Sequence, residues 1–324
     1  VDRLAKADGS AADGGTGTIG AAVALAKGDG GTRASVLAGA TVEAASLQVL
    51  TSALAGGAST LTAESAAGAG DGKISVAGSV AIALTTHEST AVIAGAARLS
   101  GDAVVAASSV LEATAKALPH GEGVSGATTL GIGASFALAI VTGRTTAALG
   151  DGATLTGAGN LTLTAHGRST TTVEAKMGAT GGGVALTPVV AVALSTETAQ
   201  TILAPGAALA LTGALRMDAV LTATANATAT AAVEGATDAG IGVALALAIP
   251  NHSALATLAR SVTATEVLLA TFLTSTAATS AVASASGAPE DETPADPDPG
   301  APGGVDQQLA GERDPADGEA AESG

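Results

Sequence analysis

The chain alternates. Over long stretches a larger apolar residue is separated from the next by a small one, as in Ile74, Val76, Val80, Ile82 and Leu84 with Ala77, Ala81 and Ala83 among them. A period of two predicts a β-strand, whose successive side chains point to opposite faces. Both faces of such a strand are apolar, which predicts burial on both sides. A second kind of segment alternates apolar with polar. In residues 161–177 one face carries Leu161, Leu163, Ala165, Val173, Ala175 and Met177, and the other Thr162, Thr164, His166, Arg168, Thr170, Thr172, Glu174 and Lys176. That is the pattern of a strand with one face in water. A helix is disfavoured by the period and by β-branched Thr and Val. Seventeen residues would span roughly 56 Å as one strand at ~3.3 Å per residue, so a bend, bulge or corner is expected near Gly167.

These patterns recur. Val23-Ala-Leu-Ala26, Val80-Ala-Ile-Ala-Leu84, Phe136-Ala-Leu-Ala-Ile140, Val190-Ala-Val-Ala-Leu194 and Leu245-Ala-Leu-Ala-Ile249 are spaced by 57, 56, 54 and 55 residues. A second anchor follows each time at Gly39, Gly95, Gly152 and Gly206, and Arg260 stands in its place in the last copy. Two anchors on one period predict about five ~55-residue repeats. Polar stretches at residues 27–32, 85–90, 141–145, 195–200 and 250–253 read as turns within each repeat. The fold class is therefore all-β, a repeat array best matched by a parallel β-helix or β-solenoid. Short turns leave stacked long antiparallel hairpins as the alternative.

Composition adjusts this picture. Apolar residues are 47% of 324, with two Phe and neither Trp nor Tyr. Such a core must be thin, with closely spaced backbones. The chain has no Cys, so it can form neither disulfides nor thiolate metal sites. The net charge is −16, and residues 287–324 hold eleven acids against Arg313 alone, which leaves −6 for the remainder. Six of the ten prolines also fall there. This segment reads as a disordered acidic Pro/Gly-rich tail. Residues 15–286 are the repeat array. Residues 1–14 lack the apolar run of a signal peptide and read as a linker or the end of a preceding repeat in a longer parent chain. No basic stripe suggests nucleic acid, and no apolar run reaches the ~20 residues of a spanning helix.

Candidate chemistry is sparse. Gly28-Asp29-Gly30, Gly70-Asp71-Gly72 and Gly150-Asp151-Gly152 fall at different phases of the repeat, unlike the regular acids of a calcium-binding roll; turn chemistry accounts for them. Gly131-Ile132-Gly133 lacks the helix and acidic partner of a dinucleotide loop. His87 and His252 share a phase and read as exposed turn residues, while His120 and His166 do not share it. No nucleophile elbow accompanies them. Thr162/Thr164 and Thr222/Thr224 suggest a threonine ladder, against which Val104-Val105 and Leu268-Leu269 stand in the other copies. Asn160, Asn226 and Asn251 begin glycosylation triplets of a kind expected by chance in a Thr-rich chain. Catalytic, cofactor-binding and metal residues: none are expected, and the chain is read as no enzyme.

The passage from Ala153 to Ala165, with Leu155, Gly159, Leu161 and Leu163 at its landmarks, resembles the rungs of filamentous-haemagglutinin-type bacterial adhesins. The whole unit is similar to repeats of very large bacterial surface proteins and leukotoxin-like filamentous exoproteins. The resemblance covers about residues 15–286 and is one of repeat style. It implies a structural or adhesive segment, extracellular or at the bacterial cell surface, extended as a rod. Neighbouring repeats of the parent chain and a host or cell-surface receptor would be its partners, without nucleic acid or membrane insertion. The alternatives are a calcium- or carbohydrate-binding module and an ice-binding threonine face.

Overall fold

The computed structural model describes residues 2–12, 14–52 and 58–285; the acidic segment 287–324 lies outside them. The described chain is strands and turns, without a helix. In order they are β1 (Asp2–Ala11), β2 (Gly17–Val36), β3 (Thr41–Ala44), β4 (Leu47–Thr51), β5 (Ser59–Ala69), β6 (Gly72–Ile93) and β7 (Ala96–Leu99). Then follow β8 (Ala103–Val124), β9 (Ala127–Leu149), β10 (Thr154–Thr156), β11 (Leu161–Thr180) and β12 (Val184–Leu203). The last are β13 (Leu209–Ala210), β14 (Ala214–Glu234), β15 (Ala239–Leu258), β16 (Val262–Thr263) and β17 (Glu266–Ala283).

Each ~55-residue repeat is one complete turn of a parallel coil. A long strand joins a seven-stranded sheet in the order β1-β5-β8-β11-β14-β17, with β4 beside β8. The chain turns the corner into a five-stranded sheet, β15-β12-β9-β6-β2, then passes through a short third side, β3-β7-β10 or β13-β16, and begins again. The recorded pairings between strands are parallel, which replaces the hairpin alternative. Side chains one repeat apart therefore stack in columns. Val23, Val80, Phe136, Val190 and Leu245 form one such column, as their shared phase requires.

Two expectations fail. β11 runs unbroken through Gly167, which pairs with Ser109 on one side and Leu221 on the other. The five polar stretches are not turns: Thr85–Thr90 lies in the middle of the 22-residue β6, and Ser195–Gln200 in the middle of the 20-residue β12. The physical reason is the ladder. Neighbouring rungs satisfy the backbone along the whole length, and some inward hydroxyls, those of Thr51 and Ser109 among them, find partners across the coil, so polar residues need not end the strand. A 20-residue strand spans roughly 66 Å, while five or six rungs at ~4.8 Å rise only about 24–29 Å. The long dimension of each rung thus lies along its strands.

The interior has two halves. One is almost all alanine, including Ala63, Ala81, Ala83, Ala115, Ala137, Ala139, Ala175, Ala191, Ala193 and Ala227. Here the two long sheets face each other directly; alanine dominates between them, and the larger Leu61 and Met177 are admitted opposite glycines, Gly28 and Gly133. The other half contains Ile93, Leu149, Leu161, Leu163, Leu203, Leu215 and Met217, all buried. Here the third side opens the cross-section and larger residues fill it. The corner into that side turns at Gly39 (φ +82°) and Gly152 (φ +66°), in left-handed backbone that an L-residue adopts with strain.

Candidate functional site

Three places carry enough chemistry to be weighed: a polar belt inside the coil, a corner clamp, and the two outer faces. The belt crosses the middle of the long strands, between the alanine half and the leucine half. Ser109 pairs with Thr145 at 2.6 Å, and Thr51 with Ser89 at 2.9 Å, each joining the two sheets through the interior. His252 bonds Ser195 through Nε2 at 3.0 Å and Ser275 through Nδ1 at 2.8 Å. His87 and His252 are therefore neither in turns nor solvated; they lie inside long strands and are half-buried. Burial lowers the pKa of both.

The register shows what their shared phase signified. Gly30, His87, Gly143, Glu197 and His252 form one inward column. Sequence reasoning singled out the histidines and passed over Glu197, although it stands seven residues after Val190 as His252 stands seven after Leu245. Glu197 is buried, and burial pushes its pKa up to about 7, an effect the nearby Ser169 hydroxyl partly offsets. Its Oε1 has no hydrogen-bond partner. The side chain lies over Gly143, where a Cβ would stand 1.8 Å from Oε2. A carboxyl in this position favours its neutral, protonated form, because no cation compensates the charge. Ser195 is 1% exposed, so its bond to His252 does not present a nucleophile to a substrate. Among the described residues, no group of three or more His, Cys, Asp or Glu could hold a metal ion.

The corner clamp is Arg260. Where earlier repeats have the anchor glycine, its guanidinium reaches over the corner and donates to the carbonyls of Ala204 (2.6 Å), Ala153 (2.7 Å), Gly150 (2.9 Å) and Pro205 (3.1 Å). Burial lowers its pKa and Asp151 opposes that. One planar fork thus ties three successive rungs through corner carbonyls, of which those of Gly150 and Pro205 also accept from backbone amides. A second corner is bound by Asn160, which bonds Asp102 at 3.0 Å and accepts from the Ala214 amide at 2.8 Å.

The outer face of the seven-stranded sheet is polar. Lys6, Glu64, Lys116 and Glu174 stack in one column of alternating sign, with Lys6–Glu64 and Lys116–Glu174 each at 3.8 Å. Thr62, Thr114 and Thr172 stack on three rungs, followed by Asn226 and Ala278. Thr162 stacks on Arg216 and Thr222 on Arg168, so the threonine pairs singled out in the sequence do not share columns. His166 lies exposed on this face, and His120 sits 3.3 Å from Asp8 near the sheet's end. The Gly-Asp-Gly triplets scatter: the first lies inside β2, the second between β5 and β6, the third after β9.

The outer face of the five-stranded sheet is apolar over half its length. The column from Val23 to Leu245 points outward, and beside it run Leu25, Ile82, Leu138, Val192 and Leu247. Burial on both sides was expected of these strands. In this array the alanines face in and the larger residues face out. Leu25 is 58% exposed and Leu245 54%. Comparison of the chain with protein-family models, with curated proteins and with solved structures finds no match.

Proposed function

We propose that the array is a non-catalytic structural and adhesive segment of a bacterial surface or secreted protein. In this reading it works outside the cell or at its surface, between neighbouring repeats of its parent chain, and displays its broad faces to a surface receptor. The observation behind the reading is the in-register stacking of whole repeats. Each repeat adds a rung in register with the last, and on the five-stranded sheet the chain builds area from columns of like apolar residues. With a thin interior and buried polar groups, the outer surface is where a partner can be met. The 55-residue rung makes breadth, so display outweighs reach.

The test has two arms on the full chain. Pulled between its ends, a load-bearing array should unravel in steps of about 200 Å, one rung of 55 residues at ~3.6 Å each. Coated on beads, it should bind cell surfaces saturably. Unravelling without resistance together with no saturable binding would defeat the reading.

A further inference from the structure

The outward apolar half of the five-stranded sheet is an interface without a partner, and its features choose the occupant. Six outward columns cross all five strands here, from the Gly17–Ile74 column to the Lys27–Leu84 column. On the three central strands these columns contain no charged residue, and Lys27 is the one charge they meet on the outer two. Eleven residues at ~3.3 Å by five strands at ~4.8 Å make a patch of roughly 860 Å². Isolated exposed hydrophobics are ordinary on a soluble surface, but a contiguous patch of this size marks an interaction site.

We infer that this patch is the contact face of a symmetric dimer of the chain, two five-stranded sheets packed outer face to outer face. The area is that of one side of a standard stable interface, ~800 Å² per partner. The relief suits self-pairing. Ala21, Gly78, Ala134 and Pro188 form a shallow groove along the coil axis, and the ridge from Val23 to Leu245 runs beside it. A two-fold axis lying in the interface plane, parallel to ridge and groove and midway between them, sets the ridge of each copy into the groove of the other, at the ~10 Å spacing of packed sheets. The three central strands bring no charge to the contact, and Lys27 at the edge is paired with Asp29 at 3.5 Å, so neither copy buries an unpaired ion.

A lipid surface fits less well. The patch has Phe136 as its one aromatic and no Trp or Tyr to settle at a headgroup boundary. The chain's net charge of −16 repels anionic lipid. The polar face of the other sheet, with its alternating Lys and Glu column, is already satisfied by water and by its own neighbours.

The test is the mass of the full chain in solution, by sedimentation equilibrium at tens of micromolar. A dimer is expected. The triple variant Ile82→Lys, Leu138→Lys, Val192→Lys places three cations in the centre of the patch, outward and away from the alanine interior. It should sediment as a monomer with unchanged β circular dichroism, its dimer affinity reduced at least 100-fold. Thr114→Lys with Thr172→Lys on the other sheet should leave the dimer intact. A second readout does not depend on the triple variant's folding. Leu138→Cys supplies the chain's first thiol, and its rate of maleimide labelling should fall at least tenfold as concentration rises through the dimerisation range. A wild-type monomer at high concentration would overturn the inference. So would a dimer that survives the triple variant, or wild-type monomers that float with zwitterionic vesicles.

Discussion

The two halves of the coil solve the same packing problem in opposite ways. In the leucine half the large side chains are inside: Leu161, Leu163, Leu203, Leu215 and Met217 are fully buried, and a third side closes over them. In the alanine half the large side chains are outside, and Ala81, Ala83, Ala137, Ala139, Ala191 and Ala193 take the interior. Both halves belong to the same strands, so strand propensity does not decide between them. The distance between sheets does. Where two long sheets face each other without a third side, the space is filled mostly by methyl groups, with a larger side chain such as Met177 admitted opposite a glycine, and alternation sends most of the larger partners to the surface. Core quality is therefore a local property of the coil, and the polar belt marks the changeover.

The largest expected effects probe that inversion directly. Leu163→Ala should cost about 4 kcal/mol, as for a buried leucine whose cavity the rigid ladder cannot close. Ala139→Leu should cost about 3 kcal/mol by overpacking the thin half, whereas Thr142→Leu, exposed on the outer face of the same strand and outside the apolar patch, should change stability by less than about 0.5 kcal/mol. Urea unfolding of the three variants measures all of these. If Ala139→Leu is as mild as Thr142→Leu, the two halves do not differ as described.

The belt between the halves should be visible in pH dependence. The folded chain holds the Glu197 proton up to about pH 7, against 4.5 for a free carboxyl. Folded chain then binds more protons than unfolded chain between these values, so this group's contribution is full below pH 4.5 and is lost as pH rises through 7. The loss is about 3 kcal/mol, at 1.36 kcal/mol per pKa unit. Glu197→Gln should gain about that much at pH 8 relative to wild type and almost nothing at pH 4. The lowered pKa values of His87 and His252 act in the opposite direction, weakening the fold as pH falls through their range, so the comparison with the Gln variant isolates the carboxyl. Equal unfolding midpoints for the two proteins at pH 8 would count against a buried neutral carboxyl.

Smaller effects are expected at the edges. Arg260→Ala removes four hydrogen bonds at the corner, two of them to carbonyls that keep a backbone donor, and should cost about 2 kcal/mol, the worth of hydrogen bonds to a charged group less what water restores. Arg260→Lys should recover only part of it, since a point charge cannot reach three rungs at once. Lys116→Ala breaks the alternating column on the polar face and should cost less than about 1 kcal/mol, falling further in salt. A large loss there would mean that the polar face supports the fold more than its exposure suggests.

The parallel array could be read in advance because two anchors kept one period, and stacked rungs are how a period of that kind buries its faces. The interior and its chemistry could not. Alternation says that residues take turns between two faces but not which face is inside, and the usual assignment of large residues to the core fails for Val80 and Leu138. The stretches around Thr85 and Ser195 carry the composition of turns, and only the neighbouring rungs reveal that the strand continues through them. Glu197 shared its phase with two histidines that had been noticed, but a phase becomes a cluster only when the coil stacks it. Arg260 read as the loss of a glycine; in three dimensions it is a substitute fastening.

The pairing of whole repeats also has a consequence for how the molecule is made. Leu161 pairs back to Ala103 and forward to Leu215, so each ladder contact joins residues more than fifty positions apart. No rung can close until a full repeat of chain exists, and none is held by local contacts while it waits. Contacts of such separation fold slowly. A finished rung, however, offers its open edge as a template of fixed register to the next segment. Assembly is thus expected to proceed as growth on an edge, slow to start and quick to continue, in the direction in which the chain is synthesised.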